Sequence, residues 1–244
     1  MKDAAEARGA TLPPPVGASY VVTVLERNVA VSDIRIGLGS NAPQSLQRFS
    51  VDDFSTTSVN QIVRGDVWVL PCLNLYGIVG ETRSKGNLVA TVEQFPLPSS
   101  PSFDIPISIR LDGLTYGGGG TLAIGTNKFY ATLDANYSRT DFNQLASELF
   151  ALVITPRFGA VIKRPCYKGA VHVGAMWQDT KQTADVIIDQ PTLGEIRVEV
   201  NQFEPNPWNF LVGGLWAIDE RLHAVVELGM GGRSYVISGL TLRF

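Results

Sequence analysis

Residues Lys128 to Ser138 read KFYATLDANYS, and their side chains sort by parity. Phe129, Ala131, Leu133, Ala135 and Tyr137 form one set; Lys128, Tyr130, Thr132, Asp134, Asn136 and Ser138 form the other. Successive side chains of a β-strand point to opposite faces, so the stretch predicts a strand with one apolar face and one polar face. An aromatic ring closes each end of the apolar face. Phe129 and Tyr137 stand eight residues apart, about 26 Å along a strand at ~3.3 Å per residue. A tilt of ~40° reduces that to a height of about 20 Å.

The same alternation recurs downstream. Ala170 to Gln178 sets Val171, Val173, Ala175 and Trp177 against His172, Gly174, Met176 and Gln178. Glu195 to Gln202 sets Ile196, Val198 and Val200 against Arg197, Glu199 and Asn201. Leu222 to Met230 sets Leu222, Ala224, Val226, Leu228 and Met230 against His223, Val225, Glu227 and Gly229. Trp208 to Ile218 is apolar on both faces, with Trp208, Phe210, Val212 and Trp216 in one phase. An apolar band edged by aromatic residues suits a wall that meets lipid outside and water or packed polar groups inside.

Composition points the same way. Of 244 residues, 18% are charged and 45% apolar, where an ordinary soluble domain carries about a quarter charged residues. No apolar run approaches the ~20 residues of a spanning helix. A chain that spans lipid without helices must close into a barrel, because every backbone polar group has to pair internally. The net charge of −3 and the lack of a basic block argue against nucleic acid. Cys72 and Cys166 are too few for a disulfide framework and stand in no metal-type spacing; Cys72 reads as mid-strand. Neither a metal nor a cofactor is expected.

Glycine, proline, Asn and Asp clusters divide the chain. Upstream, Tyr20 to Glu26 and Ser32 to Leu38 read as a hairpin about Arg27-Asn28. Asp66 to Gly80, Asn87 to Glu93, Phe103 to Gly125 and Phe150 to Lys163 read as strands. Asn41 to Asn60 and Gln178 to Pro191 read as linkers, and Asp141 to Leu149 as a short helix. The expectation is a polar, Pro-rich tail over 1–18 and one domain over 19–244: an all-β, closed antiparallel transmembrane barrel of about 10 to 12 strands. Counting back from Phe244 sets the two linkers on the same side as the C-terminus, the reverse of the usual short-turn side.

The last strand, Tyr235 to Phe244, reads YVISGLTLRF. Gly239, Leu242 and Phe244 resemble the C-terminal signal of bacterial outer-membrane β-barrel proteins, with Ile237 where that signal carries a polar residue. At the level of architecture the resemblance covers residues 60 to 244. LDANYS (Leu133 to Ser138), VGAMWQD (Val173 to Asp179) and NPWNFLVGG (Asn206 to Gly214) are similar to stretches of small outer-membrane barrels of unassigned role. The resemblance implies a bacterial outer-membrane location with the signal peptide removed. It also implies contact with outer-membrane lipid and lipopolysaccharide, and recognition by the barrel-assembly machinery during biogenesis.

Parity assigns Phe129, Tyr137, Trp177, Trp208, Phe210, Trp216 and Phe244 to the lipid interface. It assigns Arg110, Asp112, Lys128, Asp134, Arg157, Lys163, Arg197, Glu199, His223, Glu227 and Arg243 to the lumen. Both signs occur there, with a slight positive bias that would mildly favour anions in a wet channel. In a narrow barrel the same ions would pair and close the lumen. His223 and Glu227 share a face but lie about 13 Å apart along the strand, too far to touch. Tyr116 to Gly120 precedes a strand rather than a helix, so close backbone packing suits it better than a phosphate cradle. Asp52-Asp53 lies in an expected linker, and adjacent residues of an extended chain point apart. The leading expectation is a non-enzymatic envelope protein, either a narrow diffusion channel or a closed structural barrel. Two alternatives are a barrel-embedded lipid hydrolase using His172 or His223 and a soluble barrel that holds an apolar ligand.

Overall fold

Alternating side chains give each segment one face for lipid and one for the interior, and a sheet built of such segments can bury its hydrogen bonds only by closing. The computed structural model describes residues 14–38, 44–45, 49–92, 103–143, 148–164, 167–190, 194–203 and 206–244. Twelve strands follow in chain order among them: β1 (Val16–Leu38), β2 (Gln44–Ser45), β3 (Phe49–Leu70), β4 (Leu73–Val92), β5 (Phe103–Gly125), β6 (Phe129–Phe142), β7 (Glu148–Arg164), β8 (Tyr167–Gln190), β9 (Gly194–Phe203), β10 (Trp208–Ala217), β11 (Leu222–Gly231) and β12 (Arg233–Arg243).

Ten of these close a ring. The order is β1, β3, β4, β5, β6, β7, β8, β10, β11, β12 and back to β1, antiparallel at every step. β12 joins β1 from Gly17↔Arg243 to Arg27↔Arg233, so the ring is a barrel without a free edge at this level. β9 lies beyond the ring, paired to the far parts of β8 and β1, and β2 adds a short pairing to β1.

Several expected boundaries move. The N-terminal hairpin is one continuous strand, β1, which starts at Val16 within the segment expected to be tail. Asp66 to Gly80 is two strands folded at Pro71-Cys72, so Cys72 lies exposed in a turn rather than mid-strand. The Asn41 to Asn60 linker contains the start of β3, and Gln178 to Pro191 is largely the continuation of β8. Asp141, Phe142, Glu148 and Leu149 belong to strands, not to a helix; Leu145 and Ala146 lie outside the described residues, as do residues 1–13 and Cys166. In the two segments read as linkers, polar residues stand on both faces where the strand runs past the lipid band, as at Asp52-Asp53 and Asp179 to Thr183, so alternation fades.

Those shifts reverse the sidedness. Both ends of the described chain, the Pro71-Cys72 turn, the Thr126–Lys128 turn and the Ile218–Arg221 turn share one end of the barrel. The longer connections share the other end, where β8 and β9 form a hairpin beyond the ring. Short turns beside the termini and long connections opposite are the usual outer-membrane arrangement. The short turns are locally specified. Asp219 Oδ1 accepts the backbone N–H of Arg221 and Leu222 at 2.6 and 2.7 Å, and Thr126 Oγ1 accepts that of Phe129 at 3.1 Å. At the opposite end β11 turns into β12 through Gly231, whose φ of +136° suits only glycine.

Candidate functional site

The outer face is a continuous apolar band. Val63, Val79, Leu122, Leu133, Val173, Val212, Val236 and Leu240 all face outward and exposed. Aromatic residues edge it at two levels. Near the terminal end Phe129 stacks on Phe158 at 6.0 Å; toward the other end Tyr137 stacks on Phe150 at 6.1 Å. Each of the two neighbouring strands therefore places its edge rings eight residues apart. Phe129, Tyr137, Trp208, Phe210 and Phe244 are exposed on this face, and Trp177 and Trp216 share its phase, part-exposed. Above the band, on the side of the longer connections, Arg83 binds Glu81 at 3.0 Å and reaches Asp112 at 4.0 Å.

The interior is polar and organised along the wall. Arg243 NH1 donates to Asp66 Oδ2 at 2.7 Å, and Asn74 Nδ2 donates to the same oxygen at 2.7 Å. Arg64 NH2 donates to Asn74 Oδ1 at 2.9 Å, while its guanidinium lies 3.6 Å from the ring centre of Tyr76. The Tyr76 hydroxyl donates to Asp134 Oδ1 at 2.9 Å, and Thr121 Oγ1 donates to Asp134 Oδ2 at 2.6 Å. Asp134 shares its strand face with Tyr130, whose hydroxyl lies 2.9 Å from Nδ1 of His172. His172 Nε2 lies 2.9 Å from Glu227 Oε1, and Arg157 grips both Glu227 oxygens at 2.7 and 3.0 Å. A carboxylate only accepts, so Nε2–H of His172 donates to Glu227.

These contacts form a hoop that touches or crosses all ten strands of the ring. Where a contact skips a strand, a glycine lies beneath it. A Cβ on Gly17 of β1 would meet Asp66 Oδ1 at 2.8 Å and Arg243 Cζ at 3.0 Å. One on Gly119 of β5 would meet the Tyr76 hydroxyl at 2.7 Å, and one on Gly159 of β7 would collide with the Tyr130 ring. One on Gly213 of β10 would meet His172 Nε2 at 2.6 Å and Glu227 Cγ at 2.7 Å. Gly119 thus gives the Tyr116 to Gly120 run its purpose. The missing side chain lets Tyr76 cross β5 against the backbone.

Of the residues assigned to the lumen, Asp134, Arg157, Glu227 and Arg243 stand in the hoop. His223 is part-buried on the inner phase near Asp219 and Arg243. Lys163 is exposed near the terminal rim, and Lys128 is exposed in the β5–β6 turn rather than on a wall. Arg110 and Asp112 belong to the outer phase with Leu114, because Gly113 and Thr115 are the buried positions of that strand. Arg197 and Glu199 lie on β9, outside the ring, and their side chains are not among those described, nor are those of Asp52 and Asp53 on β3. Parity alone missed Asp66, Asn74, Arg64, Tyr76, Tyr130 and His172 as a set. Each is a polar residue on the inner phase, but only strand adjacency shows that they meet.

A hydrolase would need a nucleophile at a histidine, and His172 has its two ring nitrogens occupied by Tyr130 and Glu227. The interior also holds a small apolar cluster of Met176, Leu211 and Tyr235, flanked by Leu25, Val153 and Ile237.

No protein-family model matches the chain, and no curated protein sequence does. Solved structures that align with it include the outer-membrane protein OprG of Pseudomonas aeruginosa, at TM-score 0.45 and 12% identity over 96% of this chain and 100% of that one. The β-domain of the Bordetella autotransporter BrkA aligns at TM-score 0.44 and 14% identity, over 94% and 100%. The toluene transporter TbuX of Ralstonia pickettii aligns at 0.40 and 9%, over 95% and 90%. At these scores the likeness carries no assignment.

Proposed function

We propose that the protein is an integral barrel of the bacterial outer membrane that works as a narrow, non-enzymatic diffusion channel. The observation that carries the reading is the hoop. Its long side chains lie along the wall in glycine gaps at Gly17, Gly119, Gly159 and Gly213 instead of reaching for the axis. A barrel whose only task was to hold itself together would be better served by apolar packing across the middle, since buried ion pairs add little stability over hydrophobic groups. Outside, the apolar band and its two aromatic edges suit outer-membrane lipid, and charges such as Arg83 and Lys85 beyond it suit lipopolysaccharide. β12, with Gly239, Leu242 and Phe244, is the strand the barrel-assembly machinery would read.

One observation favours the second reading, a closed structural barrel. Arg157 on β7 reaches Glu227 on β11 past both β8 and β10, the widest span in the hoop, and the Met176–Leu211–Tyr235 cluster lies in the same half. Single-channel recording separates the two. Detergent-refolded protein in a planar lipid bilayer is expected to give stable conductance steps. Arg157→Glu, which sets a second carboxylate against Glu227, is expected to change their size and ion preference. Insertion without steps establishes the closed barrel; full solubility without detergent overturns the membrane reading.

A further inference from the structure

The hoop satisfies most of the inner wall, yet one sector holds polar atoms that nothing matches. On the inward face of β3, Thr56 Oγ1, Asn60 Oδ1, Arg64 Nε and Trp68 Nε1 are buried and have no hydrogen-bond partner among the described residues. They fall at every fourth residue, a file about 40 Å long at ~3.3 Å per residue. The Tyr235 hydroxyl on β12 is left the same way. β3 and β12 both flank β1, so these atoms lie along one continuous side of the inner wall. Among the described residues, no buried side-chain atom of β4 to β8, β10 or β11 is left so.

Buried polar atoms are matched nearly everywhere in folded proteins, so a file of unmatched ones asks for water or a solute to complete it. The side that carries them is also the cationic side. Among the described side chains its inward charges are Arg27, Arg64, Arg233 and Arg243 against Asp66. The rest of the wall sets Arg157 against Asp134 and Glu227, with Lys163 and Lys168 exposed at the terminal rim. Arg27 and Arg233 are direct cross-strand partners toward the end with longer connections, while Arg64 and Arg243 sit toward the terminal end. Arg64 and Trp68 offer N–H donors along the file, and Thr56 and Tyr235 offer hydroxyls.

Resting on the channel reading, we infer that permeation is off-axis. It follows the β12–β1–β3 side from Arg27 and Arg233 past Thr56, Tyr235 and Asn60 to Arg64 and Trp68, and it takes small anions with several acceptor oxygens, carboxylates or phosphates. The opposite half of the lumen, locked by the Tyr130–His172–Glu227–Arg157 chain, contributes structure rather than passage.

Reversal potentials of the full chain in a planar bilayer under a tenfold potassium chloride gradient test this. Wild type is expected to prefer chloride. Asn60→Asp, nearly isosteric, puts a negative charge in the middle of the file and is expected to lower the chloride-to-potassium permeability ratio about threefold or more. Thr56→Asp is expected to do the same and serves if Asn60→Asp does not refold. Asn136→Asp on β6, an equal charge on the inner phase of the other half, is expected to leave the ratio near the wild-type value. Conductance with a cation preference in wild type overturns the file, as does an Asn136→Asp shift as large as that of Asn60→Asp. A wild-type protein that inserts and does not conduct overturns the channel reading and the file with it.

Discussion

The two faces of the same ten strands solve different problems. The outer face meets a solvent that offers no hydrogen bonds, so Leu133, Val173 and Leu240 succeed there by having nothing to satisfy, and their neighbours hardly matter. The inner face carries Asp66, Asp134, Arg157 and Glu227, and each is stable only through named partners on other strands. Glycine marks the contrast. Outward Gly65 would have nothing within 4 Å of an added Cβ, while inward Gly213 would press one against His172 and Glu227. The difference teaches that outward positions are fixed by residue class, whereas inward positions are fixed by residue pairs.

If that contrast is right, the largest effect belongs to the most connected inner residue. Glu227→Ala strands both Arg157 and His172, and breaking a buried ionic group of this kind costs about 3–5 kcal/mol. Urea unfolding of the refolded barrel in lipid vesicles should show it, and a loss below 1 kcal/mol would mean that the hoop is not the support described above. On the outer face the expectation is set by solvent alone. Leu133→Arg, at mid-band, should cost about 2–4 kcal/mol by the same assay, falling toward zero for an arginine placed at a band edge.

A sharper comparison keeps the chemistry constant. Gly213→Ala should destabilise by about 1–3 kcal/mol through overpacking against His172 and Glu227. Gly65→Ala should stay within about 0.5 kcal/mol of wild type. Equal effects would erase the distinction between the faces. The smallest effect belongs to neither face. In the Ile218–Arg221 turn, the backbone N–H groups of Arg221 and Leu222 hold the Asp219 carboxyl below the usual aspartate range. Its contribution is therefore present above that range and lost as pH falls through the lowered value. Asp219→Ala should remove a slight acid-side loss of stability and leave neutral-pH conductance unchanged.

Much of the barrel was legible in parity. Phe129 to Tyr137 announced the band and its edges, and β6, β10, β11 and β12 lie close to where alternation set them. What parity could not carry was continuity beyond the lipid. β1, β3 and β8 run on past the band with mixed polar faces, so one strand read as a hairpin and two strand ends read as linkers. Arg110 and Asp112 were misassigned because Ile107, Ile109 and Leu111 alternate with them and mimic a lipid face, in the opposite phase to the outward Leu114 and Leu122. The hoop was illegible on other grounds. Glu227 was weighed against His223 four residues away, but its partner is His172, 55 residues distant and two strands over. Local spacing says which face a residue shares; only the ring order says whom it meets.

The seam between β1 and β12 has a consequence in time. Ser19 bonds Thr241 across 222 residues of chain, and Arg243 reaches Asp66 across 177. Until that seam forms, both flanking strands present bare edges that invite pairing with other chains. Closing it joins distant parts of the chain, so the closure entropy must be met before any reward arrives and the step is slow. The seam also runs through the cationic, unmatched sector. The last contacts to be made as the barrel closes are therefore the ones that give the lumen its charge.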